Sequence, residues 1–550
     1  MSPRFGRRER AASRTDTGPT RAERRRGAGG AGRSGAAPSR RWPALVLIAA
    51  LVVGGVVLGS DDVAVEDPPP ADPSTLLPIA VPDDALGSVW FCAGQSAGDD
   101  TPADGTLVIS NPSDEAAAGR IELVSAEGEE AADEVAVEPW TTTRVRVADL
   151  LAGEWVAARV ETTSGTVVVE HEVVGEAGRD VAPCQTRAAD RLYLPSGATT
   201  RDAQLTLLVF NPYSDAATVD LSFVTDDGVR RPRALQGLPV PAGAVVPVDV
   251  SGVVTVRPLV ATILTARRGR VVVDRVQTFD GRGAATTEEE AAEEPYQREG
   301  LTVTPAVPRT ATDWVFPAGL RAPGIHEQIT VFNPGEELAE VDVTLDLADP
   351  QRNGTLDPFA LEVPGGEARV LDVDEAEGVP EGVTHSVTVT STNQVPVVAE
   401  RALAVTEDAS YRAQLTSTGA PVVSEGWVFA AGWRGPDEEA QRIALANPGD
   451  EDVTVELVAY GDGERSAPLG DEPITLAPGE HVELDVGQLG GLEEGQTSIE
   501  VTASAPIVAE RRLISRSPSD DPDADDAEPG VGGSTALGVP VGPGTAALGE

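Results

Sequence analysis

The sequence predicts an all-β protein: tandem antiparallel β-sandwiches of immunoglobulin or fibronectin type, following a single N-terminal transmembrane helix. Three observations carry this. The dipeptide Asn-Pro recurs four times, with successive Asn residues 100, 122 and 114 positions apart. Between recurrences, apolar and polar residues alternate with period two, the signature of half-buried strands. One uncharged run, Trp42 to Ser60, divides a basic leader from an acidic remainder.

The leader is the only basic part of the chain. The 550 residues carry 42 basic side chains, all arginine, against 89 acidic ones, for a net charge of −47. Residues 1–41 hold twelve arginines and three acids, a net of +9, which leaves −56 for everything after them. That segment reads as a disordered basic tail. Its stretch Gly27–Gly32 matches the G-x-G-x-x-G fingerprint, but no strand precedes it, so nothing positions a phosphate. The strongly acidic total excludes a nucleic-acid binder by net field, two cysteines exclude a disulfide-rich mini-protein, and one apolar run excludes a polytopic membrane protein.

The apolar run reads as a span. Its core, Ala44 to Leu58, gives about 23 Å of helix at roughly 1.5 Å per residue. A hydrocarbon core is about 30 Å thick, and Trp42 and the small flanking residues extend the run toward it. Arginines before it and Asp61 and Asp62 after it set the orientation: N-terminus cytoplasmic, the remainder extracytoplasmic, at the plasma membrane. Two outcomes stay open. Val57 and Gly59 would suit signal peptidase, giving a secreted chain, whereas the long leader favours an uncleaved anchor. Residues 61–86, rich in Pro and Asp, read as a stiff stalk.

Next come the repeats. Each Asn-Pro (Asn111-Pro112, Asn211-Pro212, Asn333-Pro334, Asn447-Pro448) follows an apolar opening by about twenty residues: Trp90-Phe91-Cys92, Leu192-Tyr193-Leu194, Trp314-Val315-Phe316 and Trp427-Val428-Phe429. An acid follows 38 or 39 residues later, at Asp149, Asp249, Asp372 and Asp485. Each repeat then ends on a strand with an acid beside a base: Glu170-His171, Asp274-Arg275, Glu400-Arg401 and Glu510-Arg511. Landmarks in register four times over establish a repeat array. The expected units are 87–186, 187–280, 311–423 and 424–515. An acidic linker with a closing segment (281–310) would split the array into pairs, and an acidic Gly-rich tail (516–550) follows. Segments such as EVDVTLDLAD and TVELVAYGDG give about seven short strands per unit, which suits a sandwich. A β-propeller blade is shorter than these units. Echoes of Ser417–Val423 and Thr304–Pro308 in Ser534–Val541 suggest that each domain closes with a strand donated after a variable insert.

The candidate site residues read mostly as architecture. Asn-Pro suits a hairpin turn, the Asn bonding back to the turn backbone and the Pro fixing φ. The acid–base pairs suit exposed cross-strand ion pairs at a domain edge. Cys92 and Cys184 bracket the first repeat; outside the membrane they should form a disulfide, worth roughly 4–5 kcal/mol on the loop-entropy model. Gly94-Gln-Ser96-Ala-Gly98 matches the nucleophile elbow, but that motif needs a helix after the Ser and DDTPADG cannot begin one. The histidines, His171, His326, His385 and His481, show no ligand spacing and read as surface strand residues. The acidic run Ser517–Glu528 lacks the Gly and final Glu of a Ca²⁺ loop. No catalytic residue, metal ligand or cofactor site is expected.

The basic leader with its span, the opening Trp90-Phe-Cys-Ala-Gly94, the Asn-Pro turns and the closing Pro396-Val-Val-Ala-Glu-Arg401 resemble a family of actinobacterial membrane-anchored envelope proteins of unknown function. The resemblance covers roughly residues 85–545 and implies an extracytoplasmic location without an established activity. The expected function is a non-enzymatic scaffold or interaction module of the cell envelope, with an envelope protein or polysaccharide as partner. A glycan-binding or glycosyltransferase-accessory role is the alternative, weakened by a content of seven Trp and five Tyr.

Overall fold

The computed structural model describes residues 72–80, 85–98, 101–163, 166–281, 297–348, 354–406, 411–432, 438–470, 472–493, 495, 497–515, 530–542 and 544–548. The leader, the apolar run and the start of the stalk lie outside the described residues. Among the described residues no helix is long and apolar enough to cross a membrane. They are built from strands and four short 3₁₀ turns, and all lie within one compact unit beginning at Pro70.

The first repeat shows the plan. Its strands are β1 (Ser88–Ala97), β2 (Asp104–Asn111), β3 (Ala117–Ser125), β4 (Glu130–Val137), β5 (Thr141–Arg146), β6 (Gly153–Thr162), β7 (Val168–Gly175) and β8 (Gly178–Pro183). Two layers form, in the orders β4-β3-β6-β1 and β5-β2-β7-β8, joined where Ser96 on β1 pairs with Asp104 on β2. This is a sandwich, but its strand order is not the ABED/CFG order of an immunoglobulin domain. The chain changes layer after β1, β2, β4, β5 and β6, so neighbours in sequence are repeatedly sent to opposite sheets. The eighth strand, which the estimate of seven omits, is the closing strand that follows the acid–base pair.

The other repeats reproduce these layers, and the fourth runs its last two long strands together as Ser498–Ser515. Closing strands lie at Glu299–Pro305, Tyr411–Thr418 and Gly533–Leu537. One expectation is thereby corrected. Residues 299–305 belong to the second sandwich, pairing antiparallel with Val272–Asp280, so the acidic segment joins two strands of one sandwich instead of dividing the array into pairs. The tail supplies the closing strand of the fourth sandwich, paired with Glu510–Ile514. The stalk is corrected as well: Leu76 and Ala80 are buried, and Ala80 N donates to Pro540 O at 3.1 Å.

Each core is filled in the same way. Trp90, Trp314 and Trp427 are fully buried, with Leu192 in their place in the second repeat. Behind them sits a large–small pair, one member on the opening strand and one just after the closing strand. The first repeat uses the Cys92–Cys184 disulfide, the second Leu194 with Ala306, the third Phe316 with Gly419, the fourth Phe429 with Gly538. A Cβ on Gly419 would lie 2.8 Å from the Phe316 ring, and one on Gly538 2.9 Å from Phe429. Glycine is required there for close approach.

Candidate functional site

The closing strands bring the four repeats together. Gly178–Pro183 packs on Glu299–Pro305, that on Tyr411–Thr418, that on Gly533–Leu537, which packs back on the first. The sandwiches therefore form a closed ring around four central strands. Val303 N donates to Asp180 Oδ2 at 2.7 Å between the first two, and Ser534 Oγ donates to Val181 O at 3.0 Å where the ring closes. One end of the ring holds an apolar cavity of about 60 Å³, lined by all four closing strands and by Leu76 and Leu77.

Around this axis run the acid–base pairs, and three of the four bases bond the acid of the next repeat. Arg275 Nη2 donates to Glu400 Oε1 at 2.9 Å, Arg401 to Glu510, and Arg511 Nη1 to Glu170 Oε2 at 2.8 Å. In the remaining seam His171 Nε2 stands 4.0 Å from Asp274 Oδ2. All eight side chains are buried. The expected exposed edge pairs are instead the buried joints of a ring. They face inward because each lies on the strand next to a closing strand.

Backbone completes three of the joints; in the Arg401–Glu510 joint the hydroxyls of Ser417 and Thr535 do so. The residues after the opening triplets of repeats 1, 2 and 4 offer amides and carbonyls to the charged groups. Ala431 N donates to Glu170 Oε2 at 2.7 Å while its carbonyl accepts from Arg511 at 2.6 Å. Ala93 N and Gly94 N both donate to Asp274 Oδ2 at 2.8 Å. Ser196 O accepts from Arg275 at 2.5 Å. A side chain on Gly94 would meet Val303 and Asp274 within 2.8 Å, so the glycine keeps this approach open. Where the core pair is Phe–Gly, the guanidinium also lies over a ring: Arg401 is 5.5 Å from the Phe316 centroid and Arg511 5.6 Å from Phe429.

The seam between repeats 1 and 2 is electrostatically different. Burial pushes His171 down to about 4 and Asp274 up to about 6, the latter partly offset by the Ala93 and Gly94 amides. Asp180 nearby on the central strand is pushed by burial up to about 7, against hydrogen bonds from Val303, Ser534 and Val181. Between repeats 3 and 4, burial raises Glu327, but His385 at 2.9 Å with Arg401 and Arg512 outweighs it and holds the carboxyl below its ordinary range.

The remaining candidates fall into place separately. All four Asn side chains are buried. Asn111 Oδ1 accepts from Ser113 N at 3.1 Å, and its amide donates to Glu115 O at 2.8 Å and Val137 O at 3.0 Å. Asn211, Asn333 and Asn447 repeat this set with Asp215 and Val240, Glu337 and Val363, Glu451 and Leu476. The turn is thus a corner between layers and not a hairpin, since β2 and β3 lie in different sheets. Ser96 sits buried in β1, followed by another strand, and its Oγ accepts from Ala103 N at 2.9 Å. His171, His385 and His481 are buried rather than on the surface; His326 alone is half-buried, bonded to Asp374 at 2.6 Å. Among the described residues no group of three or more His, Cys, Asp or Glu is placed to hold a metal ion. Asp180 and Glu327 carried no sequence signal, because neither recurs at its position in the other repeats.

A model for a family of unknown function, DUF5719, matches residues 85–257, 176–415 and 308–536. The chain belongs to that family. The three DUF5719 matches overlap, as expected where one sandwich plan is repeated along a chain. No functionally curated protein matches it. Among solved structures, Anabaena sensory rhodopsin transducer is 23% identical over 16% of this chain and 80% of its own, with a TM-score of 0.15. An E. coli alpha-2-macroglobulin is 9% identical over 87% of this chain and 31% of its own, at 0.12. The tetra-tandem repeat from the extending region of a large adhesion protein is 10% identical over 82% of this chain and 99% of its own, at 0.09. At these scores none of the three bears on fold or function.

Proposed function

We propose that this DUF5719 chain is a non-enzymatic scaffold or interaction module of the cell envelope, held at the plasma membrane by Trp42–Ser60 with its ring of sandwiches outside. One observation carries the reading. The polar residues that recur in every repeat, the acid–base pairs and the Asn corners, are buried, and all but His171 are hydrogen-bonded within the ring. The recurring chemistry therefore builds a rigid body, and what differs among repeats, the outer loops and inserts, is left to meet a partner. The basic leader and acidic remainder support the orientation.

The test is crosslinking of the intact chain in membranes of its own cells, followed by mass spectrometry of its neighbours. Reproducible capture of envelope proteins through the outer loops is the expected result. Recovery of the chain in the soluble cytoplasmic fraction, or no crosslinked neighbour in membranes, would overturn the reading.

A further inference from the structure

The four seams are built on one scaffold, so the residue one place after each acid–base pair can be compared around the ring. In repeat 2 it is Val276, packed in the apolar cluster that joins repeats 1 and 2. In repeat 4 it is Arg512, paired with Glu483 at 3.3 Å, and in repeat 1 it is Glu172, held by Arg144 and Arg179. Two places further, repeat 4 has Ile514, buried against Leu403 and Val405. Val276, Arg512 and Ile514 each fill space against the repeat before their own: Val276 clusters with Phe91 of repeat 1, and Arg512 Nη2 donates to Ala318 O of repeat 3 at 3.5 Å. Repeat 3 has alanine at both positions, Ala402 and Ala404.

A cavity of about 240 Å³ follows from this, half-enclosed between repeats 2 and 3 and lined by both alanines. Its two guanidiniums are already neutralised: Arg275 by Glu400, and Arg298 by Asp202 at 3.1 Å. The lining therefore offers no free cation to an anion. Gln414 also lines it, is 5% exposed, and its Oε1 accepts no hydrogen bond within the chain. A buried acceptor left without a donor is costly, so a ligand that supplies one gains from meeting it. Pro258, Leu259 and Val370 give the same cavity an apolar part.

We propose that this cavity is a binding site for a neutral, hydroxyl-bearing small molecule, a sugar unit or a polyol, whose hydroxyl donates to Gln414 Oε1 while its C–H surface lies on the aliphatic lining. Phe279, also at the site, has Arg298 over its ring at 4.4 Å and is not available for stacking. Affinity would rest on hydrogen bonds, which favours a ligand with several hydroxyls. The proposal goes beyond the scaffold reading and does not depend on it.

The experiment uses the purified full chain and saturation-transfer NMR with D-glucose, D-galactose, D-mannose, N-acetylglucosamine, glycerol and myo-inositol, and with methylphosphonate, whose methyl protons report binding, as an anion control. Transfer to at least one hydroxyl compound is expected. Ala404→Ile, which installs the repeat 4 residue, should abolish it with the thermal unfolding midpoint retained. Gln414→Ala, which removes the acceptor without adding volume, should weaken binding at least tenfold and serves if the first variant does not fold. Signal from sugars but not polyols, or the reverse, identifies the source of the hydroxyls. No transfer from any of the hydroxyl compounds, transfer from methylphosphonate alone, or binding unchanged in both variants would overturn the proposal.

Discussion

Arg511 of the fourth repeat donates to Glu170 of the first at 2.8 Å across 341 residues of sequence, and this joint has no covalent linker to help it. The other three seams join repeats that are consecutive in the chain. Here non-covalent contacts alone hold the ends together: the buried pair, the Ala431 backbone that bonds both partners, and the packed closing strands with Ser534 Oγ donating to Val181 O.

Removing one partner should therefore be severe. Arg511→Leu leaves Glu170 buried and uncompensated, and breaking a buried pair of this kind costs about 3–5 kcal/mol. Urea unfolding should shift by that amount. The double variant with Glu170→Leu should recover much of it, because a well-packed apolar pair often replaces a buried ion pair without loss. A single variant as stable as the wild type would mean that the joint is solvated.

The first seam should give the chain a pH-dependent stability. Burial holds Asp180 near 7 and Asp274 near 6 against an ordinary 3.8, so the native state keeps protons that the unfolded chain releases above 3.8. Stability from these groups falls as pH rises, by about 1.4 kcal/mol per pH unit for each, until each folded value is passed. His171, held near 4 against 6.5, works oppositely: its contribution falls as pH drops from 6.5 to 4. Unfolding midpoints of wild type and Asp180→Asn from pH 4 to 8 isolate one group. The variant should gain relative to wild type as pH rises to about 7, whatever its constant offset. A difference independent of pH would remove the assignment.

The sequence showed the repeat, the period and the landmarks, because strands alternate and turns need particular residues. It did not show the ring. Nothing in Glu400-Arg401 says whether the pair is made along one sheet or between two domains, since the same residue types serve both and only the closing strand decides which face is covered. That strand was visible as an echo at Ser417 and Ser534, but the inserts before it differ in length and hid its partner. Ala402 and Ala404 looked like ordinary strand residues; only Val276, Arg512 and Ile514 in the equivalent positions give them meaning.

The Asn corners make a prediction common to all four repeats. Asn447 donates to Glu451 O at 2.8 Å and Leu476 O at 3.1 Å and accepts from Gly449 N at 3.0 Å, tying the two layers of the fourth sandwich. Asn447→Ala leaves these backbone groups without their partner, at a cost of about 2–4 kcal/mol. Asn447→Asp should not rescue, because a carboxylate cannot donate to the carbonyls. The same pair of variants at Asn333 should behave alike in thermal unfolding. Rescue by Asp would show that the accepting half of the side chain matters more than the donating half.

The C-terminal strand should be needed for the ring as a whole. Ending the chain at Ser515 removes Gly533–Leu537, which pairs with Glu510–Ile514 and packs between the closing strands of repeats 3 and 1. It also removes Thr535, whose Oγ1 donates to Glu510 at 2.9 Å, and Gly538, which lets Phe429 pack. Leu513 and the strand edge beside it would be uncovered, and an open edge invites association. The truncated chain should bind a hydrophobic dye, lose its cooperative melt and aggregate, while a chain lacking only residues 549–550 should melt like the full one. A cooperative, wild-type melt after truncation at Ser515 would mean that the three earlier sandwiches and the rest of the fourth close without it.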